Sequence, residues 1–308
     1  MRLEGIHHIT AITGDAPRNL DFYARVLGLR LVKKTVNQDD PTVYHLFYAD
    51  EHGSPGADLT FFEYPGAPRG RAGAGMVHRI VWRVGSPEAL DFWAGRLAAE
   101  GIHVERDGHR LRFADHEGLA LELEVGDGAD PPLAGSAPDI PAAHALQGFA
   151  GIRAFTHDPG ASAHFLADAL DFVPGGDGTW VVRGDERHGF YVYDPPPPER
   201  GLQGAGTVHH VAFASRMDDH VAWRERVIRA GGHPTQVIDR FYFRSVYFRE
   251  PSGVLFELAT IGPGFAVDED AAHLGERLSL PPDFEHLRDR LERVLTPLPD
   301  PRATRAGA

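Results

Sequence analysis

An α+β fold made of four copies of one strand–helix–strand unit is predicted by three features of the sequence. Segments 5–10 and 207–212 each hold two adjacent histidines in a β-branched run that is typical of a strand. Amphipathic helices, each followed closely by glycine, separate such strands. Stretches rich in glycine and proline divide the copies from one another. Because a repeated unit buries its apolar face only against another unit, the copies are expected to pack together.

Each copy consists of a strand, a helix and then two or three strands. Apolar residues recur in each helix at i, i+3, i+4 and i+7, the spacing of one buried helix face. A further amphipathic helix is predicted at 282–295, after the last copy. The copies are predicted at 5–65, 76–125, 149–195 and 207–261, with helices at 20–27, 90–97, 161–170 and 219–230.

The glycine- and proline-rich segments between the copies predict the domain organisation. Segment 126–141 holds repeated glycine, proline, alanine and aspartate without periodicity, which indicates a central linker. We therefore expect an N-terminal half at 1–126 with copies one and two, a linker at 127–147, a C-terminal half at 148–262 with copies three and four, and a C-terminal extension at 263–308 that carries the last helix.

Composition excludes several classes of function. A net charge of −13 argues against nucleic acid or an anionic membrane as a partner. The sequence has no apolar run of about 18 residues and so predicts no transmembrane helix. The first strand begins so early that it leaves no room for a signal peptide. Without cysteine there are no disulfides, thiolate ligands or cysteine nucleophiles. A cytoplasmic enzyme is expected, and a homo-oligomer is compatible with the sequence.

Alignment of the four copies indicates a candidate metal site. Copies one and four contribute two histidines and one carboxylate at matched positions, whereas copies two and three do not. We predict that Arg79 and Glu122 form an internal ion pair in a metal-free counterpart of the site. The first strands align His8, Arg79, Ala154 and His210, and the last strands align Thr60, Glu122, Tyr193 and Glu257.

Two histidines and one carboxylate from separate strands form a facial triad, the ligand set of non-haem Fe(II) oxygenases. His8, His210 and Glu257 must converge on one ion at about 2.0 to 2.2 Å, so copies one and four must face each other. The expected architecture is therefore two half-barrel pairs, of copies one and four and of copies two and three. Strand alternation places His8 and Thr10 on one face and turns His7 and His209 to the other.

The segments that carry these residues resemble a known superfamily. They are similar to the vicinal oxygen chelate (glyoxalase, bleomycin resistance and extradiol dioxygenase) proteins, and within them to ring-cleaving dioxygenases that act on hydroquinones. The resemblance covers nearly the whole chain and implies four βαβββ modules, of which modules one and four hold the metal. The signature segments are 7–10, 44–50, 207–213 and 239–251.

The resemblance implies a function and a set of site residues. It identifies His8, His210 and Glu257 as Fe(II) ligands, although the ligand set also admits Mn(II). The implied reaction is that of a non-haem Fe(II) extradiol-type dioxygenase that cleaves hydroquinone or substituted hydroquinones, with both atoms of O2 incorporated. The substrates are then a small aromatic diol and O2. Second-sphere and substrate-contacting positions are matched by His7, Thr10, His209, Arg240 and Tyr247.

The residue types suit these roles. An arginine or tyrosine stabilises negative charge that develops on oxygen, and a histidine transfers protons near neutral pH. Because alternation turns His7 and His209 away from the lumen, either a β-bulge redirects them or they support the ligands through hydrogen bonds.

Two other functions remain open from the sequence. A glyoxalase-like lyase or isomerase would use a divalent ion to polarise an enediolate, but Thr60 stands where a fourth ligand is expected. A metal-free binder of the resistance-protein kind would need no triad.

Overall fold

The computed structural model describes residues 1–302, which form four modules. Modules one and four both begin with the strand that carries a histidine pair. Module one comprises β1 (Ile6–Thr13), α1 (Ala16–Leu20), β2 (Arg30–Asn37), β3 (Asp40–Ala49) and β4 (Asp58–Glu63). Module four comprises β13 (Thr207–Ser215), α4 (His220–Arg229), β14 (Ile238–Asp239), β15 (Arg244–Arg249) and β16 (Leu255–Thr260).

Modules two and three lie between them in the chain and repeat the same element order. Module two comprises β5 (Met76–Val84), α2 (Pro87–Ala99), β6 (Glu105–Asp107), β7 (Arg110–Ala114) and β8 (Ala120–Val125). Module three comprises β9 (Phe149–Phe155), α3 (Ala163–Leu170), β10 (Val173–Gly176), β11 (Thr179–Arg183) and β12 (His188–Asp194). The predicted four-copy organisation is confirmed.

The modules pair as predicted, one with four and two with three. The first sheet has eight strands in the order β14-β15-β16-β13-β1-β4-β3-β2, and the second has the order β10-β11-β12-β9-β5-β8-β7-β6. In each sheet the first strands of two modules pair antiparallel at the centre. The last strand of each module then pairs parallel with its own first strand. Each sheet is therefore a half-barrel shared equally by two modules.

The helices lie close to their predicted positions, with local differences. Ser86 caps the amino end of α2 and Pro87 occupies its first position, while Leu90, Trp93 and Leu97 are buried at helical spacing. The first helix begins earlier than predicted, and α1 continues as a π-helix over Asp21–Val26. The last predicted helix is a 3-10 helix, Pro282–Leu287, followed by α5 (Arg288–Val294).

The segment after module four packs against the concave side of the first sheet. A buried apolar cluster there joins Phe47 and Ala212 of the strands to Phe265 and Leu274 of this segment. The fully buried Lys33 fixes the segment, because its Nζ donates hydrogen bonds to the Phe265 carbonyl and to carboxylates of the same segment, Asp268 and Glu269. Residues 303–308 of the predicted extension lie outside the described residues. Among residues 1–302, no helix is long and apolar enough to span a membrane.

Candidate metal centre

The triad residues of modules one and four lie together on the concave side of the first sheet. His8 on β1, His210 on β13 and Glu257 on β16 are all buried, and their ligand atoms lie within 4.8 Å of one another. The Oε2 atom of Glu257 is 3.1 Å from Nε2 of His8 and 2.9 Å from Nε2 of His210. The two Nε2 atoms are 3.3 Å apart. Three atoms from separate strands thus surround one point.

These separations fit a facial arrangement around a metal ion. Three ligands at about 2.1 Å from one ion and at right angles to one another lie about 3.0 Å apart, whereas tetrahedral angles place them about 3.4 Å apart. The observed distances of 2.9, 3.1 and 3.3 Å average nearer to the first value. Neither carboxylate oxygen of Glu257 accepts a well-formed hydrogen bond within residues 1–302. A bound cation would stabilise a buried carboxylate that lacks hydrogen-bond donors.

The protonation of the triad suits metal binding, which requires a charged carboxylate and neutral imidazoles. Burial opposes the charge on Glu257, but His8 and His210 outweigh it and hold the pKa of this carboxyl well below its ordinary value. Burial lowers the pKa of the His210 imidazole. A neutral His210 has a form in which Nε2 offers a lone pair.

His7 contacts the Nδ1 side of the His8 ring, whereas Nε2 of His8 faces the other triad residues. Its Nδ1 lies 2.9 Å from Nδ1 of His8, and its Nε2 lies 3.2 Å from the carbonyl oxygen of Thr260. Burial lowers the pKa of His7 to about 3, so the ring is neutral. A neutral His7 that donates from Nε2 to Thr260 must accept at Nδ1, which places the proton of His8 on Nδ1 and leaves Nε2 of His8 free to bind a metal.

His209 makes the matching contact with the second ligand histidine. Its Nδ1 lies 2.8 Å from Nδ1 of His210, although His209 is exposed at the surface, unlike the buried His7. His7 and His209 thus contact the imidazoles of His8 and His210 through hydrogen bonds. This is the supporting arrangement that the sequence analysis considered as the alternative to a redirecting β-bulge. Neither His7 nor His209 is among the residues that line the cavity above the triad.

A cavity opens directly above the triad. His8 and His210 form part of its wall, together with Arg240 and Tyr247. The Tyr247 ring packs edge-on against the ring of His210, and the Arg240 guanidinium lies 5.6 Å from the centre of the Tyr247 ring. Burial raises the pKa of Tyr247 above its ordinary value, so the phenol stays protonated. The structure therefore brings these two predicted residues to the cavity.

Arg240 is held in place by an aspartate that the sequence did not single out. Its two terminal nitrogens lie 3.0 and 2.9 Å from the two carboxylate oxygens of Asp39, at the end of the loop between β2 and β3. Burial opposes the charge of Arg240, but the bonds to Asp39 raise its pKa above the ordinary value. A bidentate pair of this kind fixes the orientation of the guanidinium plane.

Thr10 lies beside the triad and begins a chain of polar contacts. Its Oγ1 is 3.0 Å from Nε2 of His210 and accepts a hydrogen bond of 2.8 Å from Oγ1 of Thr60. Nε2 of His45 lies 2.9 Å from Oγ1 of Thr60. His45 also lines the cavity, between the rings of Phe47 and Phe62. The sequence placed His45 at the surface or in a second layer, and no pattern around it distinguished these positions from the cavity wall.

The counterpart position in the second half-barrel contains ion pairs. Arg79 Nη1 lies 3.2 Å from Oε2 of Glu122, as predicted, and Arg112 also donates to this oxygen at 2.8 Å. In module three the predicted alignment was wrong by one residue. Tyr193 faces the helix side, where its hydroxyl bonds Glu250, and the concave side carries Arg153 paired with Asp194 at 2.6 and 2.7 Å.

Strand register explains this correction. Glu257 pairs with Ala212, two residues after His210, and Asp194 pairs with Phe155, two residues after Arg153. Arg153 is therefore the counterpart of His210, and Asp194 is the counterpart of Glu257. Module three has one more residue than module four between the glycine used for alignment and this carboxylate, a difference that the sequence did not reveal.

Comparisons with known proteins agree with the fold. The family model of the Glyoxalase/Bleomycin resistance protein/Dioxygenase superfamily matches residues 5–123 and 148–258. A Bacillus subtilis (strain 168) protein, provisionally named ring-cleaving dioxygenase MhqA, is 40% identical over 97% of this chain and 100% of its own length. The chlorohydroquinone/hydroquinone 1,2-dioxygenase of Sphingobium indicum is 32% identical over 96% of each chain.

Solved structures show the same architecture. A crystal structure from Bacillus subtilis subsp. subtilis str. 168, provisionally described as a dioxygenase, matches with a TM-score of 0.90 and 37% identity over 97% of this chain and 98% of that chain. Glyoxalase I from Zea mays matches with a TM-score of 0.57 and 14% identity over 89% of this chain and 97% of that chain. The latter likeness concerns the fold alone.

Proposed function

Because this chain belongs to the Glyoxalase/Bleomycin resistance protein/Dioxygenase superfamily, we propose that it is an Fe(II)-dependent dioxygenase that opens the ring of hydroquinone or a substituted hydroquinone. The relatives named as ring-cleaving and hydroquinone dioxygenases support the reaction class and the para-diol substrate. The single observation that carries the proposal is the convergence of His8, His210 and Glu257 beside a cavity that His8 and His210 line.

His8, His210 and Glu257 would hold the ion, and Fe(II) bound there would supply electron transfer between an aromatic diol and O2. Mn(II) fits the same ligand set. Two neutral imidazoles and one carboxylate give the site a net charge of +1 with a divalent ion, which favours an anionic phenolate as the next ligand. Three protein ligands in a facial arrangement would leave further positions on a bound ion for the substrate and O2.

The remaining side chains of the cavity bind and orient the diol. Phe47, Phe62 and Phe243 form apolar walls that suit a planar ring and exclude water. Arg240, held by Asp39, places a fixed positive charge beside these walls, where it stabilises negative charge on an oxygen of the substrate. Tyr247 contributes a protonated hydroxyl to the same wall.

The arrangement around Thr60 disfavours a glyoxalase-like lyase. Thr60 pairs with Thr10 in the strand register as Glu257 pairs with Ala212, so it holds the position of a fourth ligand from module one. Its hydroxyl is instead occupied by hydrogen bonds to Thr10 and His45. The half-barrel therefore offers three strong ligands from residues 1–302.

Oxygen uptake by the anaerobically Fe(II)-loaded protein tests the proposal. Prompt uptake is expected when hydroquinone is added, with catechol as the comparison substrate. His8→Ala should abolish uptake, whereas Arg79→Ala, at the matching position of the second half-barrel, should retain it. Protein that binds iron but consumes no oxygen with either diol would reject the dioxygenase assignment.

A further inference from the structure

The hydrogen-bond chain from His45 to the metal centre has a defined direction. Thr60 Oγ1 donates to Thr10 Oγ1, and each threonine hydroxyl carries one hydrogen. Thr60 has then used its hydrogen, so it accepts from Nε2 of His45 at 2.9 Å. Thr10 keeps its own hydrogen for Nε2 of His210 at 3.0 Å. The chain therefore donates at every step from His45 toward the triad.

The state of His45 agrees with this direction. Burial lowers the pKa of His45 well below its ordinary value, and the neighbouring ligand histidines and Arg240 lower it further. The ring is therefore neutral and carries one N–H, which the chain places on Nε2. The rings of Phe47 and Phe62, at 4.0 and 4.5 Å between centroids, hold the imidazole in position.

Occupation of the metal centre changes the last acceptor in the chain. The lone pair on Nε2 of His210 that accepts from Thr10 is the same lone pair that would bind a metal ion. Once an ion takes it, the Thr10 hydrogen needs a new acceptor. Thr10 cannot turn back toward Thr60, because the Thr60 hydrogen already points at Thr10. An oxygen atom bound beside the ligand histidines would provide such an acceptor.

We propose that His45 is a positioning residue that acts through Thr60 to make Thr10 donate a hydrogen bond to an anionic phenolate oxygen held at the metal centre. The inference rests on the proposed function and extends it to residues that recognise the ionised hydroxyl of the substrate. His45 and Thr60 do not touch the reacting atoms themselves. They fix which way the Thr10 hydroxyl points, and thereby favour the phenolate over the neutral phenol.

The test uses a phenol that cannot undergo ring cleavage, so that binding is measured without turnover. The protein is loaded with Zn(II), which has no redox chemistry, and its zinc content is determined. It is then titrated with 4-nitrophenol at one pH unit below the pKa of the free probe. Absorbance distinguishes bound phenolate from bound phenol, and the titration gives the dissociation constant.

The variants test the hydrogen-bond chain separately from the shape of the residues around it. Thr60→Val removes the hydroxyl at nearly constant shape, Thr60→Ser keeps a hydroxyl, and His45→Phe keeps an aromatic ring between Phe47 and Phe62. Thr179→Val makes the same exchange on β11 of the second half-barrel. We expect Thr60→Val and His45→Phe to weaken probe binding about 10-fold and to shift the bound probe toward the neutral phenol. Thr60→Ser and Thr179→Val should behave as the wild type.

Three other results would contradict the inference. If zinc stays bound and Thr60→Val binds the phenolate as tightly as the wild type, Thr10 donates elsewhere, for example to Glu257, and the inference is wrong. If Thr60→Val or His45→Phe loses its zinc, the chain supports the ligand histidine instead, and the inference is again wrong. If the zinc-loaded wild type does not bind the probe at all, both this inference and the proposed function fail.

Discussion

The two half-barrels solve the same problem, a buried carboxylate, in different ways. In the second half-barrel Glu122 and Asp194 are neutralised by Arg79, Arg112 and Arg153. In the first, Glu257 faces two imidazoles whose Nε2 atoms carry lone pairs rather than permanent charge. In the second half-barrel, arginine side chains supply the positive charge. The first half-barrel has the geometry to bind a metal cation from solution. We propose that the βαβββ pair itself does not determine metal binding, and that the residues at the His8 and His210 positions do.

Exchange of the carboxylate in each half-barrel tests this contrast, and its effect on metal binding is the largest we expect. Glu257→Gln should lower the affinity for Fe(II) or Mn(II) at least 100-fold, because it removes the one charged ligand. Glu122→Gln should leave metal affinity unchanged but lower the free energy of unfolding by about 2 kcal/mol, because it removes the negative charge that faces the partly buried Arg79 and Arg112. Metal content after dialysis and urea denaturation provide the two readouts.

The contrast would be contradicted by either of two results. Metal retained by Glu257→Gln would mean that the triad is not the metal site. Metal lost from Glu122→Gln would mean that the ion pairs of the second half-barrel hold the first half-barrel in shape. Addition of a chelator gives a further check, since it should lower the melting temperature of the wild type and not that of Glu257→Gln.

The repeat made the triad predictable from the sequence. Matching the strands of modules one and four brought together His8, His210 and Glu257, residues far apart in the chain, because a repeated unit carries its geometry with it. The same reasoning predicted the Arg79–Glu122 pair. It failed in module three, where one extra residue within β12, between Gly189 and Asp194, turns Tyr193 to the helix side and Asp194 to the concave side. A shift of one residue reverses the faces of a strand.

His45 and Asp39 could not be predicted, for two different physical reasons. Strand β3 is buried on both faces: Phe47 belongs to the cluster on the concave side and Leu46 to the main core. Alternation of polar and apolar residues therefore gives no signal for the direction of His45. Asp39 lies in a loop, and its contact with Arg240 depends on how two distant loops meet, which no local pattern records.

The histidines that directly precede His8 and Arg79 provide a second test of the contrast between the two half-barrels, with a smaller expected effect. His7 precedes His8 and accepts a hydrogen bond from its Nδ1, whereas His78 precedes Arg79 and contacts Asp194 at 2.8 Å. His7→Phe should lower metal affinity about 10- to 100-fold, the usual effect of removing a partner of a ligand histidine. His78→Phe should leave metal affinity unchanged. Calorimetric titration of the metal-free variants with Mn(II) measures both, and equal losses would reject a specific role for His7.

His78 also provides the smallest effect, in the dependence of stability on pH. Burial lowers the pKa of His78 to about 4, against the opposing influence of Asp194. The unfolded chain, with a pKa near 6.5, then binds a proton that the folded protein does not. Stability contributed by the neutral ring is therefore present above about pH 6.5 and is lost as the pH falls toward 4.

Replacement by phenylalanine removes this titration while keeping a ring to stack on Phe155. On going from pH 7 to pH 4.5, the wild type should lose about 1 to 2 kcal/mol more unfolding free energy than His78→Phe, as measured by urea denaturation at each pH. The opposite sign is also informative. If the variant loses more stability in acid, His78 is a cation paired with Asp194, and the second half-barrel stabilises its carboxylates with an imidazolium as well as with arginines.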